Sequence, residues 1–348
     1  MSPGTFEVRE VTPDDGDTMK RLVESNPDGG DIQFAPRFSV DPYEMYSTLM
    51  PVDDFAGFIA EAPSGDAAGM GFIAFNDSRL GGRIRPRGYL AGLMVDHEYR
   101  GDGLGTRLAT ERIEYAEETV GDDVVIAAAI QSGNDASMGV ARSWADGFPY
   151  EYVMHPLETR VDRPSTSHTV RTLERRELSE FVAGINSFYG DAELFVPYRT
   201  DRFSELVAAA VDGKSVHRAD AVIADGEYVA GAHVADQYEL TTQVVESLPP
   251  ELEQAEELPP SIPEEMEIRP TYVVPWFKPG YEDAAQQLIE YERAVADGAN
   301  RLMIPFDPDG PLGQIDPLTV DEGSIELNWA LRGLDDPVED TFVAPSLG

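Results

Sequence analysis

Residues 89–108 read Tyr-Leu-Ala-Gly-Leu-Met-Val-Asp-His-Glu-Tyr-Arg-Gly-Asp-Gly-Leu-Gly-Thr-Arg-Leu, and this run sets the architecture that we expect. Its first seven residues are mostly apolar and predict a buried strand, which a short turn follows. A glycine-rich loop then leads into a helix that extends to about Thr119, with Gly121 as its expected C-terminal stop. The apolar stripe of that helix comprises Leu104, Leu108, Ala109, Ile113 and Ala116.

The loop at residues 100–105 has the composition of an anion-binding turn. Glycines at positions 101, 103 and 105 let main-chain N–H groups approach a ligand closely. The loop ends where the helix begins, and a helix N-terminus offers unpaired N–H donors and a positive dipole end. This arrangement favours a pyrophosphate group. It is not a Walker A loop, because no Gly-Lys-Ser/Thr follows, and it lacks the alternating parallel context of a dinucleotide-binding fingerprint.

The segment around this loop resembles the GNAT superfamily of N-acetyltransferases. Arg100-Gly101-Asp102-Gly103-Leu104-Gly105 matches the Arg/Gln-x-x-Gly-x-Gly/Ala signature of that family. A strand at 124–130, then Asn134, then the pair Gly147-Phe148 follow in the family's order. The resemblance covers about residues 5–157. It implies an α/β (α+β) fold in which a mixed, mostly antiparallel twisted sheet is flanked by helices.

The resemblance also implies a site for acetyl-CoA as co-substrate. Main-chain groups at the end of the strand would contact the acetyl and pantetheine portions, the loop would hold the pyrophosphate, and Asn134 would contact the pantetheine. The thioester would enter between Val95 and Ala129, where neighbouring strands splay apart. The implied cofactor-binding residues are Leu93, Met94, Val95, Arg100, Gly101, Asp102, Gly103, Leu104, Gly105, Thr106 and Asn134.

The catalytic groups depart from the family's pattern. Family members often carry a tyrosine four residues before the Gly-Phe pair, but here that position is Ser143. Tyr150 or Tyr152 could replace it as the proton donor, or both could be core aromatics. The strand itself offers no carboxylate as a general base, so His97, just after it, is the better candidate, with a base acting through water as the alternative. Asp102 is also unusual, because the family often has a basic residue there.

Short segments of the first half recur roughly 160 residues later in the same order. Phe6-Glu7-Val8-Arg9-Glu10 is echoed by His168-Thr169-Val170-Arg171-Thr172, which predicts a duplicated fold. The expected domains are an N-terminal GNAT acetyltransferase domain at 1–159 and a GNAT-like domain at 168–348, with the boundary at Arg160–Ser167.

The second copy of the loop predicts a degenerate domain. Of the glycine pattern only Gly280 remains, and Glu282 and Asp283 would repel a pyrophosphate. Residues 246–268 contain eight Glu and five Pro, a composition typical of an acidic, solvated insertion loop. This second domain is expected either to complete the acceptor pocket or to form a dimer interface.

The composition narrows the function classes. With 26 basic and 65 acidic residues among 348, the net charge is −39, which disfavours binding to nucleic acid or to an anionic membrane. Only Lys20, Lys214 and Lys278 are lysines, a bias that resembles cytoplasmic proteins of halophiles; the alternative is an acidic protein from an ordinary cell. There is no cysteine, and the five histidines lack metal-ligand spacing, so we expect no metal site. The absence of a signal peptide or apolar span predicts a cytoplasmic location.

Two further groups of residues bear on the acceptor. An arginine cluster before the key strand would either attract an anionic CoA or acceptor, or belong to a solvated hairpin; it consists of Arg79, Arg83, Arg85 and Arg87. A predicted helix would either line the acceptor pocket or pack in the core through Tyr43, Met45, Tyr46 and Leu49.

These features predict an acetyl-CoA-dependent N-acetyltransferase that moves an acetyl group directly to a primary amine of a small molecule or peptide. The alternative is a non-catalytic acyl-CoA sensor or scaffold, which the missing tyrosine and strand carboxylate favour. A third interpretation is transfer of a longer acyl group. The sequence does not identify the acceptor.

Overall fold

The computed structural model describes residues 6–50, 54–160, 162, 168–255, 258–259, 261–318, 323–338 and 341–344. Most of the predicted domain boundary, at 161 and 163–167, lies outside these residues. The strands are β1 (Glu7–Glu10), β2 (Asp28–Gly29), β3 (Gln33–Phe38), β4 (Asp54–Glu61), β5 (Ala67–Leu80), β6 (Arg83–Val95), β7 (Val125–Gln131), β8 (Gly147–Glu158), β9 (Thr169–Thr172), β10 (His217–Ala224), β11 (Glu227–Ala235), β12 (Thr241–Ser247), β13 (Glu267–Ile268), β14 (Pro270–Phe277), β15 (Arg301–Phe306) and β16 (Ile325–Arg332). The helices are α1 (Gly16–Glu24), α2 (Pro42–Leu49), α3 (Leu104–Val120), α4 (Asp135–Ala141), α5 (Leu178–Tyr189), α6 (Thr200–Ala208), α7 (Pro250–Glu253) and α8 (Glu282–Val295).

One sheet of twelve strands runs through both halves of the chain, in the order β1-β4-β5-β6-β7-β16-β8-β15-β14-β11-β10-β9. Among the described strands of this sheet, only the pairs β6–β7 and β14–β15 are parallel. The predicted mixed, mostly antiparallel sheet flanked by helices is therefore confirmed. The two sheets that the duplication predicts are, however, joined edge to edge into one.

The two halves exchange their last strands at the centre of this sheet. Strand β16, from the end of the chain, lies between β7 and β8: Trp329 pairs with Ala129 on one side and with Tyr150 on the other. Strand β8 in turn extends past β16 to pair with β15 of the second half. Each half thus closes the sheet of the other, and the order of strands is symmetric about the β16–β8 pair.

A second, smaller sheet also crosses between the halves, in the order β13-β12-β3-β2. Strand β3 of the first half pairs antiparallel with β12 of the second. Part of the segment 246–268, expected as a solvated loop, belongs to this sheet, because β12 ends at Ser247 and β13 begins at Glu267. Between them α7 is exposed and Ile262 is buried.

Strands β6 and β7 diverge, and this divergence opens the site. They pair only where Arg87–Tyr89 meets Val125–Ala127. Just beyond, the register of β5 with β6 shifts between Met70 and Phe72, and Gly92 has φ of +56°. A Cβ on Gly92 would lie 2.6 Å from the Phe72 ring, so only glycine fits this bulge. The bulge turns β6 away from β7 and leaves a V-shaped opening.

The predicted helix after the loop is present as α3, and its apolar stripe determines which of its faces packs on the sheet. Leu104, Leu108, Ala109, Ile113 and Ala116 are all buried against the sheet, as the periodicity predicts. The chain leaves the helix at Gly121, whose φ of +109° a side chain would disfavour. Helix α3 therefore begins at the open end of the V, with its first turn beside the end of β6.

The arginine cluster at the β5–β6 hairpin lies at the far end of β6 from the loop. Arg87 is eight residues before Val95, roughly 26 Å along an extended strand. The hairpin packs on the second half: the carboxylate of Glu193 accepts hydrogen bonds from the main-chain N–H groups of Gly81 (2.7 Å) and Gly82 (2.8 Å). Arg79 lies near Glu193, and Arg87 is buried against the rings of Tyr89 and Trp329. Arg79 and Arg87 are thus held by structural contacts, and Arg87 is buried rather than solvated as the hairpin interpretation expected.

A buried chain of hydrogen bonds links α2 to the second half. His217 Nε2 lies 3.2 Å from the carbonyl oxygen of Leu49, which can only accept, so this nitrogen carries the proton. His217 Nδ1 then accepts from His233 Nε2 at 3.0 Å, and His233 Nδ1 accepts from the Tyr198 hydroxyl at 2.9 Å. Both imidazoles are neutral in this arrangement.

Acid is expected to weaken the fold through this chain. Burial lowers the pKa of His217 to about 4, so as pH falls below the ordinary value of about 6.5 the unfolded chain binds the proton first. Between pH 7 and 5.5, the unfolding free energy of the wild type should therefore fall by about 1 kcal/mol more than that of His217→Gln. Urea unfolding of both proteins at the two pH values measures the difference. Equal losses would show that His217 does not titrate on unfolding.

No helix among the described residues is long and apolar enough to cross a membrane.

Candidate functional site

The V between β6 and β7 contains a cavity of about 490 Å³. One wall is the end of β6, from Tyr89 to Met94, and the other is β7 with the start of α4. The second half supplies the far side through Gln243, Ile268, Pro270, Tyr272, Met303, Ile325 and Leu327. The cavity is therefore formed by both halves of the chain.

The glycine-rich loop lies at the N-terminus of α3 and leaves its main-chain donors open. Gly101 has φ of +90° and Gly103 has φ of +78°, values that side chains disfavour. Among the described residues, no atom lies within 4 Å of the position that a Cβ would take at either glycine. The N–H groups of the first turn, from Leu104 on, have no acceptor inside the helix. These open donors lie where the sequence predicts an anion site, which stays a prediction.

The loop is fixed to the strand and to the cavity by two contacts. Arg100 Nε donates to the carbonyl oxygen of Val95 at 3.1 Å, which ties the start of the loop to the end of β6. A Cβ on Gly105 would lie 3.1 Å from Val140, and Val140 lines the cavity. A ligand whose anionic end sits on the loop can therefore extend directly into the V.

Asn134 is buried at the start of α4 and lines the cavity. Its Oδ1 accepts from the main-chain N–H of Ser137 at 3.0 Å, which caps the helix. Its Nδ2 donates to Asp28 Oδ1 at 3.0 Å. The predicted cofactor-binding residues Leu93, Met94 and Asn134 thus line one cavity, and the loop residues lie at its open end.

The structure does not bring the two catalytic candidates into the cavity. The side chain of His97 is 71% exposed and its Nδ1 lies 3.2 Å from Asp96. Ser143 is exposed and donates to the carbonyl oxygen of Val140. Neither is among the residues that line the cavity. Both stay predictions, without support from their placement.

The two alternative tyrosines are structural in the described part of the chain. The Tyr150 hydroxyl accepts from the Val338 N–H at 2.9 Å. Tyr152 is buried beside Trp329, and burial raises its pKa well above the usual range. Neither lines the cavity.

Sequence reasoning missed the charged groups that do line the cavity. Of its described lining residues only two are charged, Asp28 and Arg112. Asp28 is one acid among 65 and carries no signal that would single it out. Arg112 did carry one, because it lies in the apolar stripe of α3, four residues after Leu108 and four before Ala116.

Three tyrosines also face the cavity: Tyr46, Tyr89 and Tyr272. Burial raises the pKa of Tyr46 to about 12 and raises those of Tyr89 and Tyr272. All three hydroxyls are therefore protonated at neutral pH and can donate hydrogen bonds.

A second cavity of about 200 Å³ adjoins the first. The two share Pro36, Tyr46, Gln243 and Tyr272 as lining residues. Of the predicted acceptor residues, Met45, Tyr46 and Leu49 line the second cavity, while Tyr43 does not. The rest of its wall consists of Phe38 and Met50 from the first half and of His217, Ala235, Gln237 and Thr241 from the second.

In the second half, the loop that corresponds to residues 100–105 is hydrogen-bonded to a carboxylate from its own segment of the chain. Glu282 Oε1 accepts from the main-chain N–H of Gly280 at 3.2 Å, so a carboxylate occupies the place where an anion would bind. Trp276 of β14 is buried and packs against Phe181. The loss of the site from this half stays a prediction.

The fold and the loop can now be compared with known proteins. Residues 31–145 match the model of the acetyltransferase (GNAT) family. The chain contains a GNAT domain. This domain spans the predicted loop, α3 and Asn134, which confirms the resemblance drawn from Arg100–Gly105.

Solved structures show the same fold over nearly the whole chain. N-myristoyltransferase from Saccharomyces cerevisiae with bound myristoyl-CoA has a TM-score of 0.66 at 12% identity, covering 95% of this chain and 79% of that one. A GCN5-related N-acetyltransferase from Sphaerobacter thermophilus has a TM-score of 0.56 at 11% identity, covering 98% and 97%. Another from Kribbella flavida has a TM-score of 0.54 at 14% identity, covering 94% and 71%. No curated protein matches the sequence.

Proposed function

We propose that this protein is an acyl-CoA-dependent N-acyltransferase, with acetyl-CoA as the co-substrate that the family resemblance implies. The observation that carries the proposal is the continuity between the open amides of the loop at 100–106 and the cavity between β6 and β7. A CoA thioester has this shape: an anionic pyrophosphate joined by an extended arm to a reactive carbonyl. The GNAT family match and the myristoyl-CoA bound to the yeast neighbour support the same class of substrate.

The division of labour between the halves is part of this proposal. The N-terminal domain, 1–159, binds the acyl-CoA, and the degenerate domain, 168–348, completes the acceptor pocket. The adjoining cavity supports this, because Tyr46 of the first half and Tyr272 of the second lie where the two spaces meet. The acceptor would be a primary amine of a small molecule or peptide that enters through the smaller cavity.

Direct transfer then follows from the groups at the V. After the acceptor ammonium has lost one proton, the neutral amine nitrogen attacks the thioester carbonyl carbon, the C–S bond breaks, and a second proton from the nitrogen ends on the CoA sulfur. Asp28, the one carboxylate among the described lining residues, attracts the ammonium and accepts its proton. The protonated hydroxyls of Tyr46 and Tyr272 stabilise the leaving thiolate by hydrogen bonding.

Release of free thiol from acetyl-CoA, in molar KCl with a panel of primary amines and peptides, tests the proposal. The wild type should turn over with at least one amine, and Asp28→Asn should lower kcat/KM by roughly 100-fold with unchanged acetyl-CoA affinity. The asparagine still accepts the bond from Asn134, so the helix cap is preserved. Asp122→Asn, at an exposed acid beyond α3, is the matched control and should behave as wild type.

Two results would count against this proposal. Tight acyl-CoA binding without turnover for any amine would favour the sensor interpretation. Full activity of Asp28→Asn would remove the carboxylate from the mechanism.

A further inference from the structure

Arg112 is a buried cation in the wall of the cavity. It belongs to α3, its exposure is only 1%, and it lies in the stripe that packs on the sheet. No acidic side chain among the described residues forms an ion pair with it. A Cβ on Gly71 of β5 would lie 2.8 Å from its Cζ, so a glycine opposite makes room for the guanidinium. The fold thus accommodates this side chain specifically.

The hydrogen bonds of Arg112 leave one nitrogen free. Its Nε donates to the Leu108 carbonyl oxygen at 2.9 Å, and its Nη1 donates to those of Phe72 at 2.9 Å and Ala91 at 3.1 Å. Nη2 has no acceptor among the described residues. Since Arg112 lines the cavity, the two N–H groups of Nη2 are donors available to whatever fills it.

A buried charge without a counter-charge costs free energy, and a ligand anion would offset that cost. Burial alone lowers the pKa of Arg112 to about 9, so the side chain is still charged at neutral pH. Neutral carbonyl groups satisfy three of its five N–H donors but supply no negative charge. The site therefore favours a ligand with a carboxylate at this depth.

The position of Arg112 identifies which part of the ligand it meets. Its partner Ala91 lies two residues before Leu93 on β6, roughly 6–7 Å deeper in the V. The family resemblance places the acetyl and pantetheine portions along the main chain from Leu93 to Val95, and the strands meet at Tyr89. The part of an acyl-CoA that extends from the thioester toward the closed end of the V is the acyl chain.

We propose that the acyl group ends in a carboxylate that Nη2 of Arg112 binds, so that the preferred co-substrate is a short dicarboxylic acyl-CoA. This inference rests on the proposed function and names its substrate class. A four-carbon acyl chain reaches about 4 Å past the thioester carbon, toward the guanidinium that is hydrogen-bonded to Ala91. Asp28 is the other charged residue among the described residues that line the cavity. It lies beside Asn134, the N-cap of α4, and interacts with the amine.

Calorimetric titration in molar KCl with succinyl-CoA and butyryl-CoA tests this inference. The two ligands have the same chain length and differ by one carboxylate. The wild type should bind succinyl-CoA at least ten-fold more tightly, and the preference should survive high salt because a buried pair is poorly screened. In Arg112→Met the ratio should fall to one or below, while free CoA binds as in wild type.

If Arg112→Met does not fold, the ratio of the wild-type affinities for succinyl-CoA and butyryl-CoA still tests the inference. Arg112→Lys provides a second variant, for which we expect an intermediate ratio. Equal affinity of the wild type for the two ligands would overturn the inference, as would a preference that persists in Arg112→Met. Either result leaves acyl-CoA binding itself intact. Failure to bind any of the three CoA compounds would instead overturn the proposed function.

Discussion

A chain that ends at residue 160 is expected to lose acyl-CoA binding and cooperative unfolding. The GNAT motifs all lie within this fragment, yet its sheet is incomplete without β16. That strand pairs with β7 through Leu327–Arg332, and it brings Trp329, Ala330 and Leu331 into the core with exposures of 0%, 0% and 2%. Removing it leaves the long edge of β7 unpaired and separates β7 from β8, so aggregation or domain swapping would follow. Circular dichroism, size exclusion and acyl-CoA calorimetry measure the loss.

The control keeps both halves of the chain and cuts it close to the same position. A full-length chain with a protease site engineered within 163–167, cleaved after folding, should retain its stability and its acyl-CoA affinity because both halves stay paired. Adding residues 168–348 in trans during refolding should restore binding to the fragment. A fragment 1–160 that binds acyl-CoA as tightly as the intact chain would show that the strand exchange is dispensable.

The exchange also shows where sequence reasoning reaches its limit. The periodicity of α3 and the turn at Gly121 are local, and so the helix could be predicted from its own residues. Nothing in the residues of strand β16, by contrast, selects β7 and β8 as its neighbours. Pairing between strands some 200 residues apart depends on the packing of the whole sheet, and a duplicated sequence suggests two closed domains instead.

In the candidate site, too, some residues can be predicted from a local sequence signature and others depend on tertiary contacts. Gly101, Gly103 and Asn134 could be placed because a family signature fixes their spacing. The bulge at Gly92 could not, since it depends on the Phe72 ring opposite. Asp28 reaches the cavity through a tertiary contact with Asn134, and His97, although close in sequence to the loop, points to solvent. Proximity along the chain therefore does not determine which side chains reach the cavity, and the anion site and the catalytic candidates stay predictions.

The net charge of −39 opposes the binding of a polyanion, so the site needs groups nearby that attract negative charge. The predicted arginine cluster does not help, because it lies at the far end of β6. Among the described residues, the groups near the V that can attract an anion include Arg112, Arg100 and the open amides at the start of α3. Since Asp102 is exposed in the same loop, a polyanion there depends on main-chain donors and on the screening of the surrounding carboxylates. This is the physical basis for proposing that the protein works in high salt.

Those donors make Gly103 the residue whose replacement should have the largest effect on binding. Gly103→Glu is expected to weaken acyl-CoA binding by at least 100-fold while leaving the protein folded. The backbone at φ of +78° would be strained by roughly 1–2 kcal/mol, but open space surrounds the new side chain among the described residues. Its carboxylate would lie at the start of α3, where it would both repel the pyrophosphate and compete for the free N–H groups, as Glu282 does in the second half.

The matched control for Gly103→Glu is the same substitution in the other loop. Gly280 also has a positive φ, +84°, and its Cβ would also meet open space among the described residues, so Gly280→Glu carries the same strain and the same added charge. Calorimetry with acetyl-CoA and with free CoA, in molar KCl, should give wild-type affinity for Gly280→Glu and a lost or greatly weakened response for Gly103→Glu. Equal binding by both variants would place the pyrophosphate elsewhere. Loss of binding in Gly280→Glu alone would assign the functional loop to the second half, because the two substitutions differ only in the domain that carries them.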